Sequence, residues 1–273
     1  GYMARIGEVE FNSYGRGLLP EITGEHSGTS VSLWNDVKKK KSTNSTSGQN
    51  KGSNIHIEDN KKSTPQTTAY INQFKFYTPR NYVKYNKVLK IINNNPNIDN
   101  KDEAKAIANM VCDLSDKYGI DSEIIVNILA KESGGFVFTP ATMDPKSKRH
   151  KGVMQVDETL VKTICAKTED STNTKLPEID RRIAYDHKYF EQDQKRIDEL
   201  KKKYPTAKAM YNAIKNDVAL GVELGIMVYK AKLQLTRGDT IQAVKKYCGN
   251  QYTLPKDSTA VRRIYPVPQY KDK

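Results

Sequence analysis

The 273 residues include 37% hydrophobic ones, enough chain to bury a substantial core as one large domain or two small ones. No run approaches the roughly 20 apolar residues of a membrane-spanning helix, so a soluble domain with poorly ordered segments is expected. The net charge of +13 and the pI near 9.4 attract anionic partners without choosing among nucleic acid, anionic lipid and bacterial cell wall.

Cys112, Cys165 and Cys248 are odd in number and contain no C-x-x-C pair. His26, His56, His150 and His187 are scattered without H-E-x-x-H spacing. Neither a disulfide scaffold nor a zinc site is indicated, and no metal or other cofactor is expected.

In chain order, residues 1–37 hold a few apolar and glycine-rich pieces around Trp34, too short for a core of their own. Their opening lacks the charged-then-apolar layout of a secretory signal, and is compatible with a leader already removed. A simple tail is the preferred reading, with a partner-binding peptide as the alternative. Residues 38–68, "KKKKSTNSTSGQNKGSNIHIEDNKKSTPQTT", are almost wholly polar and read as a flexible linker.

The character changes at Ala69, where aromatic and aliphatic residues lead up to the "NNNPN" breaker at 93–97. Ala104, Ile107, Ala108, Val111 and Leu114 then recur at helical spacing and close at Gly119, a natural C-cap. "DSEIIVNILAKES" predicts a second helix, capped by Asp121 or Ser122, with Ile124, Ile125, Ile128 and Leu129 on one face and Glu132 at its end. The charged pattern from 177 to 204 reads as a solvent-facing helix. The run from 207 to 235 reads as one buried central helix, and "DTIQAVKKY" as a shorter one before Cys248. Strand-type alternation is nearly absent after residue 100, and the expectation is a mainly α domain over 69–273 with its core at about 100–270.

Glu132 raises the chemical question. A glutamate followed by Ser-Gly-Gly is common at a surface, yet a carboxylate at the C-terminal end of a helix opposes the helix dipole. Twenty residues on comes "KGVMQVDETL". Taken together, Glu132, Ser133 and Phe136, then Gly152, Val153, Met154, Gln155 and Val156, resemble the paired E-S-x-x-F and G-[LV]-M-Q-[VI] signature of soluble lytic transglycosylases and goose-type lysozymes. Asp157 extends the likeness to the goose-type form. "NDVALG" at 216–221 is similar to the family's third block, and "YCGN" at 247–250 to its fourth, with Cys248 where relatives carry asparagine. The loop "PKSKRHK" is longer and more basic than in relatives, and residues 1–68 lie outside the likeness.

What the resemblance implies is a lysozyme-like, goose-type or lytic-transglycosylase helical domain acting on peptidoglycan glycan strands. Glu132 would then be the general acid and base. Cleavage needs a proton on the leaving oxygen and stabilisation of an oxocarbenium-like transition state. Beside Phe136, Val137 and Phe138 and at a negative helix end, Glu132 is expected to hold its proton, a pattern similar to the tuned acid of lysozyme. In lytic transglycosylases the sugar's 2-acetamido group assists and the muramyl 6-hydroxyl closes a 1,6-anhydro ring. In the hydrolytic alternative water attacks, and Asp144 and Asp157 are candidates to position it. Ser133, Gly152, Met154, Gln155 and Tyr247 are the candidate substrate-binding residues. Met154 and Val153 read equally as core, Ser133 as a local cap, and Tyr247 as a core residue with a wet hydroxyl.

The resemblance places such a chain outside the cell, in the periplasm, or on a virion or secretion machine, where residues 1–68 are candidates for docking to an apparatus protein. A non-catalytic wall-binding or structural module is the competing reading. Nucleic-acid binding, which would rest only on charge and on Tyr and Lys interleaved at 70–90, is not expected, because no recognised motif accompanies it.

Overall fold

The computed structural model describes residues 65–138 and 151–249. Of these, 72% are helical and none lies in a strand, so the fold is mainly α. The described chain divides into two compact units, one of residues 65–138, 151–155 and 214–222, the other of residues 156–213 and 223–249.

The first unit begins with α1 (Pro65–Phe74), whose start falls inside the stretch read as linker. α2 (Tyr82–Asn93) follows, capped by the Asn81 side chain, which accepts from the Lys84 amide. α3 (Lys101–Tyr118) has the Asn100 side chain accepting from the amides of Asp102 and Glu103. It ends at Gly119 in left-handed conformation, as its sequence predicts. α4 (Ser122–Glu132) is capped by Asp121 and is buried on nearly every side, not only on the face the apolar spacing marks. α1 and α2 pack on α3, and α2 and α3 on α4, so α3 touches each of the other three helices. The Tyr70 and Phe138 rings meet edge to face at 5.5 Å, and burial, with Glu103 nearby, pushes the Tyr70 hydroxyl well up.

The second unit opens with α5 (Glu158–Cys165), a helix the sequence reading did not mark. The region expected to be one long charged helix is three pieces: α6 (Glu178–Asp186), a 3-10 segment (His187–Asp193) and α7 (Gln194–Lys203). The His187 ring accounts for the interruption. Its nitrogens lie 2.9 Å from the Thr163 carbonyl and 2.6 Å from the Gln194 side-chain oxygen, which draws the chain inward. Ile183, Phe190, Ile197 and Leu200 are buried.

The run 207–235 is likewise two helices, α8 (Ala207–Ile214) and α9 (Val218–Leu235). Asp217 divides them, because its carboxylate accepts from the Leu220 amide and so caps α9 in place of continuing α8. α9 is buried along most of its length, as expected, and α10 (Thr240–Cys248) follows the cap of Asp239. Cys112, Cys165 and Cys248 are free thiols. No described helix is long and apolar enough to cross a membrane.

Candidate functional site

α4 delivers Glu132 as its last residue, with no exposed surface. The turn that follows has three successive residues at positive φ, Gly134 at 64°, Gly135 at 89° and Phe136 at 63°. Glycine takes that region at no steric cost, whereas Phe136 does so only because its surroundings dictate it. Phe136 is fully buried.

The Ser133 hydroxyl is built into this turn. It donates to the Leu129 carbonyl and accepts from the Phe136 amide at 2.9 Å, so it acts as a local clamp. The Gly135 amide reaches back to the Ala130 carbonyl at 2.7 Å. From the other side, the Asn97 side chain donates to the carbonyls of Gly134 at 3.2 Å and Gly135 at 3.0 Å. Asn97 was missed in the sequence, where it is one more asparagine in a breaker.

The second predicted block, Gly152 to Gln155, forms a compact buried turn in the same unit. Gly152 has φ 75° and Gln155 has φ 55°. The Gln155 side chain donates to the Gly152 carbonyl at 2.8 Å, and its own amide does so at 3.3 Å. A Cβ on Gly152 would stand 2.7 Å from the Ile214 carbonyl oxygen, so only glycine fits. Gly221, from the third predicted block, holds a similar position. Its Cβ would meet the Val153 side chain at 3.3 Å and the Ile214 carbonyl at 3.4 Å. The second and third blocks are thus packed on each other, and the first lies in the same unit. Met154 and Val153 are fully buried within it.

Asp157 is the N-cap of α5, its carboxylate accepting from the Leu160 amide at 2.9 Å. Asp144 lies outside the described residues. Tyr247 belongs to the second unit, on α10, and is buried there. Buried Lys232 of α9 stands 5.6 Å over the Tyr247 ring and donates to the Lys246 carbonyl at 2.7 Å, completing the last turn of α10. The surface recesses formed by described residues include one around Tyr77, Arg80 and Asp113 and one around Asn93, Asn100 and Lys105. Neither includes Glu132. No group of three side chains able to hold a metal ion occurs among the described residues.

No family model, curated protein or solved structure matches this chain.

Proposed function

We propose that the chain is a muramidase of lysozyme-like fold that cleaves the β-1,4 bond between N-acetylmuramic acid and N-acetylglucosamine in peptidoglycan, with Glu132 as general acid and base. The observation that carries this reading is Glu132 itself. It is a carboxyl group with no exposed surface, at the negative end of a helix, beside a turn of three left-handed residues. A carboxyl group withdrawn from water at the end of a helix is the kind of side chain that general acid catalysis uses. Support also comes from the packing of Gly221 on the Gly152 turn, since the blocks concerned were joined by resemblance alone.

On this reading Glu132 protonates the glycosidic oxygen as the bond to the anomeric carbon breaks. The 2-acetamido oxygen of the muramyl residue attacks that carbon from the opposite face. The Glu132 carboxylate then takes the proton of the muramyl 6-hydroxyl, whose oxygen displaces the acetamido group and closes the 1,6-anhydro ring. No water is consumed, and Glu132 ends protonated as it began. The capping bond of Asp157 favours this lytic-transglycosylase course over hydrolysis assisted by that aspartate, because its carboxylate already has a structural task.

Mass spectrometry of the muropeptide ends released from purified peptidoglycan tests the proposal. Anhydro ends, lighter than reducing ends by one water, are expected. Reducing ends would move the assignment to the hydrolytic alternative. Wall binding without any product would replace the enzyme by a binding module.

A further inference from the structure

Four of the six large apolar side chains that stand exposed among the described residues fall between Phe76 and Val83: Phe76 at 83%, Tyr77 at 49%, Tyr82 at 60% and Val83 at 68%. From residue 65 to 98 there is no acidic residue, whereas Lys75, Arg80, Lys84, Lys87 and Lys90 all occur there.

The fold holds this segment outward. Buried Asn109 of α3 donates to the carbonyls of Phe74 at 2.9 Å and Tyr77 at 3.2 Å, which fixes both ends of the turn that carries Phe76. Phe74 is turned into the core and Phe76 away from it. On α2, helical spacing sets Val83, Lys87 and Lys90 on the side opposite the buried Tyr85, Val88 and Ile92. The exposed side of this α1–α2 region therefore sets apolar side chains among cations: Lys75 stands 4.8 Å over the Phe76 ring, Lys84 lies 3.6 Å from Asp116 of α3, and Lys87 and Lys90 share the outer side of α2 with Val83.

We propose that the exposed side of residues 75–90 docks on the surface of an anionic lipid bilayer. Lys and Arg side chains would meet the phosphate layer, and Phe76, Val83 and the two tyrosines would enter the boundary between headgroups and acyl chains. Nucleic acid and glycan explain the segment less well. A branched aliphatic such as Val83 has no ring face to stack on a base or sugar, while a hydrocarbon boundary takes it as readily as it takes phenylalanine. This inference does not depend on the catalytic role given to Glu132.

The test is co-sedimentation of the full chain, at physiological salt, with vesicles of phosphatidylglycerol and phosphatidylcholine in equal parts and with vesicles of phosphatidylcholine alone. Pelleting with the anionic vesicles only is expected. The double variant Phe76→Ser/Val83→Ser should weaken it by roughly tenfold for each apolar side chain. Lys87→Gln/Lys90→Gln should weaken it by about fivefold for each charge. All four positions are exposed, so melting temperatures should stay at the parent value, and this checks that each variant is folded.

No pelleting of the parent, or equal pelleting with neutral vesicles, overturns the proposal. Unchanged binding by Phe76→Ser/Val83→Ser also overturns it, since the charge of +13 alone then accounts for the attraction. If those substitutions weaken capture by duplex DNA or cell-wall sacculi and spare the vesicles, the segment serves that polymer and the lipid assignment fails.

Discussion

In the first unit two turns are held by backbone conformation: Gly134, Gly135, Phe136, Gly152 and Gln155 all have positive φ, and side-chain amides and a serine hydroxyl close the turns. The second unit has left-handed residues of its own, at Arg237, Gly238 and Gly249, and adds ion pairs drawn from largely buried carboxylates. Arg196 grips Glu223 with two bonds, at 2.6 and 3.1 Å, and Lys230 reaches Asp193 at 2.9 Å. A bidentate ion pair aligns helices and tolerates substitution at its exposed end. Left-handed backbone tolerates almost none, and strain of that kind persists only where the surroundings over-determine it.

The contrast can be broken most sharply at Gly152. Gly152→Ala combines a left-handed backbone with a Cβ placed 2.7 Å from the Ile214 carbonyl, and is expected to cost about 3 kcal/mol in urea unfolding. A cost below about 1 kcal/mol would mean that the turn yields easily, against the account. Ser133→Ala strands the buried Phe136 amide and should cost about 2 kcal/mol. Restoration by Ser133→Thr but not Ser133→Val would locate the effect in the hydroxyl. In the second unit, Arg196→Met leaves nearly buried Glu223 without its bidentate partner. About 1–2 kcal/mol is expected there, shrinking as salt rises, which no turn variant should do.

Gly119→Ala calibrates the comparison. It has the same sign of φ, at 66°, but open space around the added Cβ, so only the backbone term of about 1 kcal/mol should appear. The smallest effect concerns the thiols. Burial pushes Cys112 and Cys165 from the ordinary 9.0 up to about 11. A thiol harder to ionise folded than unfolded contributes stability that is present below pH 9.0 and lost as the pH climbs through about 11. Alkylation by iodoacetamide at about pH 8 should therefore be slow in the native protein and fast in urea. Rapid native labelling would contradict the burial.

Legibility in the sequence followed the range of the interactions. α3 and α4 were readable because apolar spacing, the carboxylate of Asp121 and Gly119 all act within a few residues. The division at Asp217 was signalled by a capping residue inside an apolar run and was passed over in favour of the hydrophobic pattern. His187 gave no local signal, since its partners Thr163 and Gln194 are found only in the folded chain. The positions of Glu132, Gly152 and Gln155 were legible as a motif. Their physical basis was not, because positive φ at Phe136 and Gln155, and the clamp from Asn97, depend on packing that no short window contains.

The most direct test of the central claim compares the parent chain with Glu132→Gln, assaying peptidoglycan turnover and thermal unfolding on the same samples. The account predicts that turnover is lost while the melting temperature stays within about a degree, since the amide keeps the size of the side chain and removes only its acid chemistry. A Glu132→Gln variant that turns over peptidoglycan like its parent, or one that loses the fold, would contradict it.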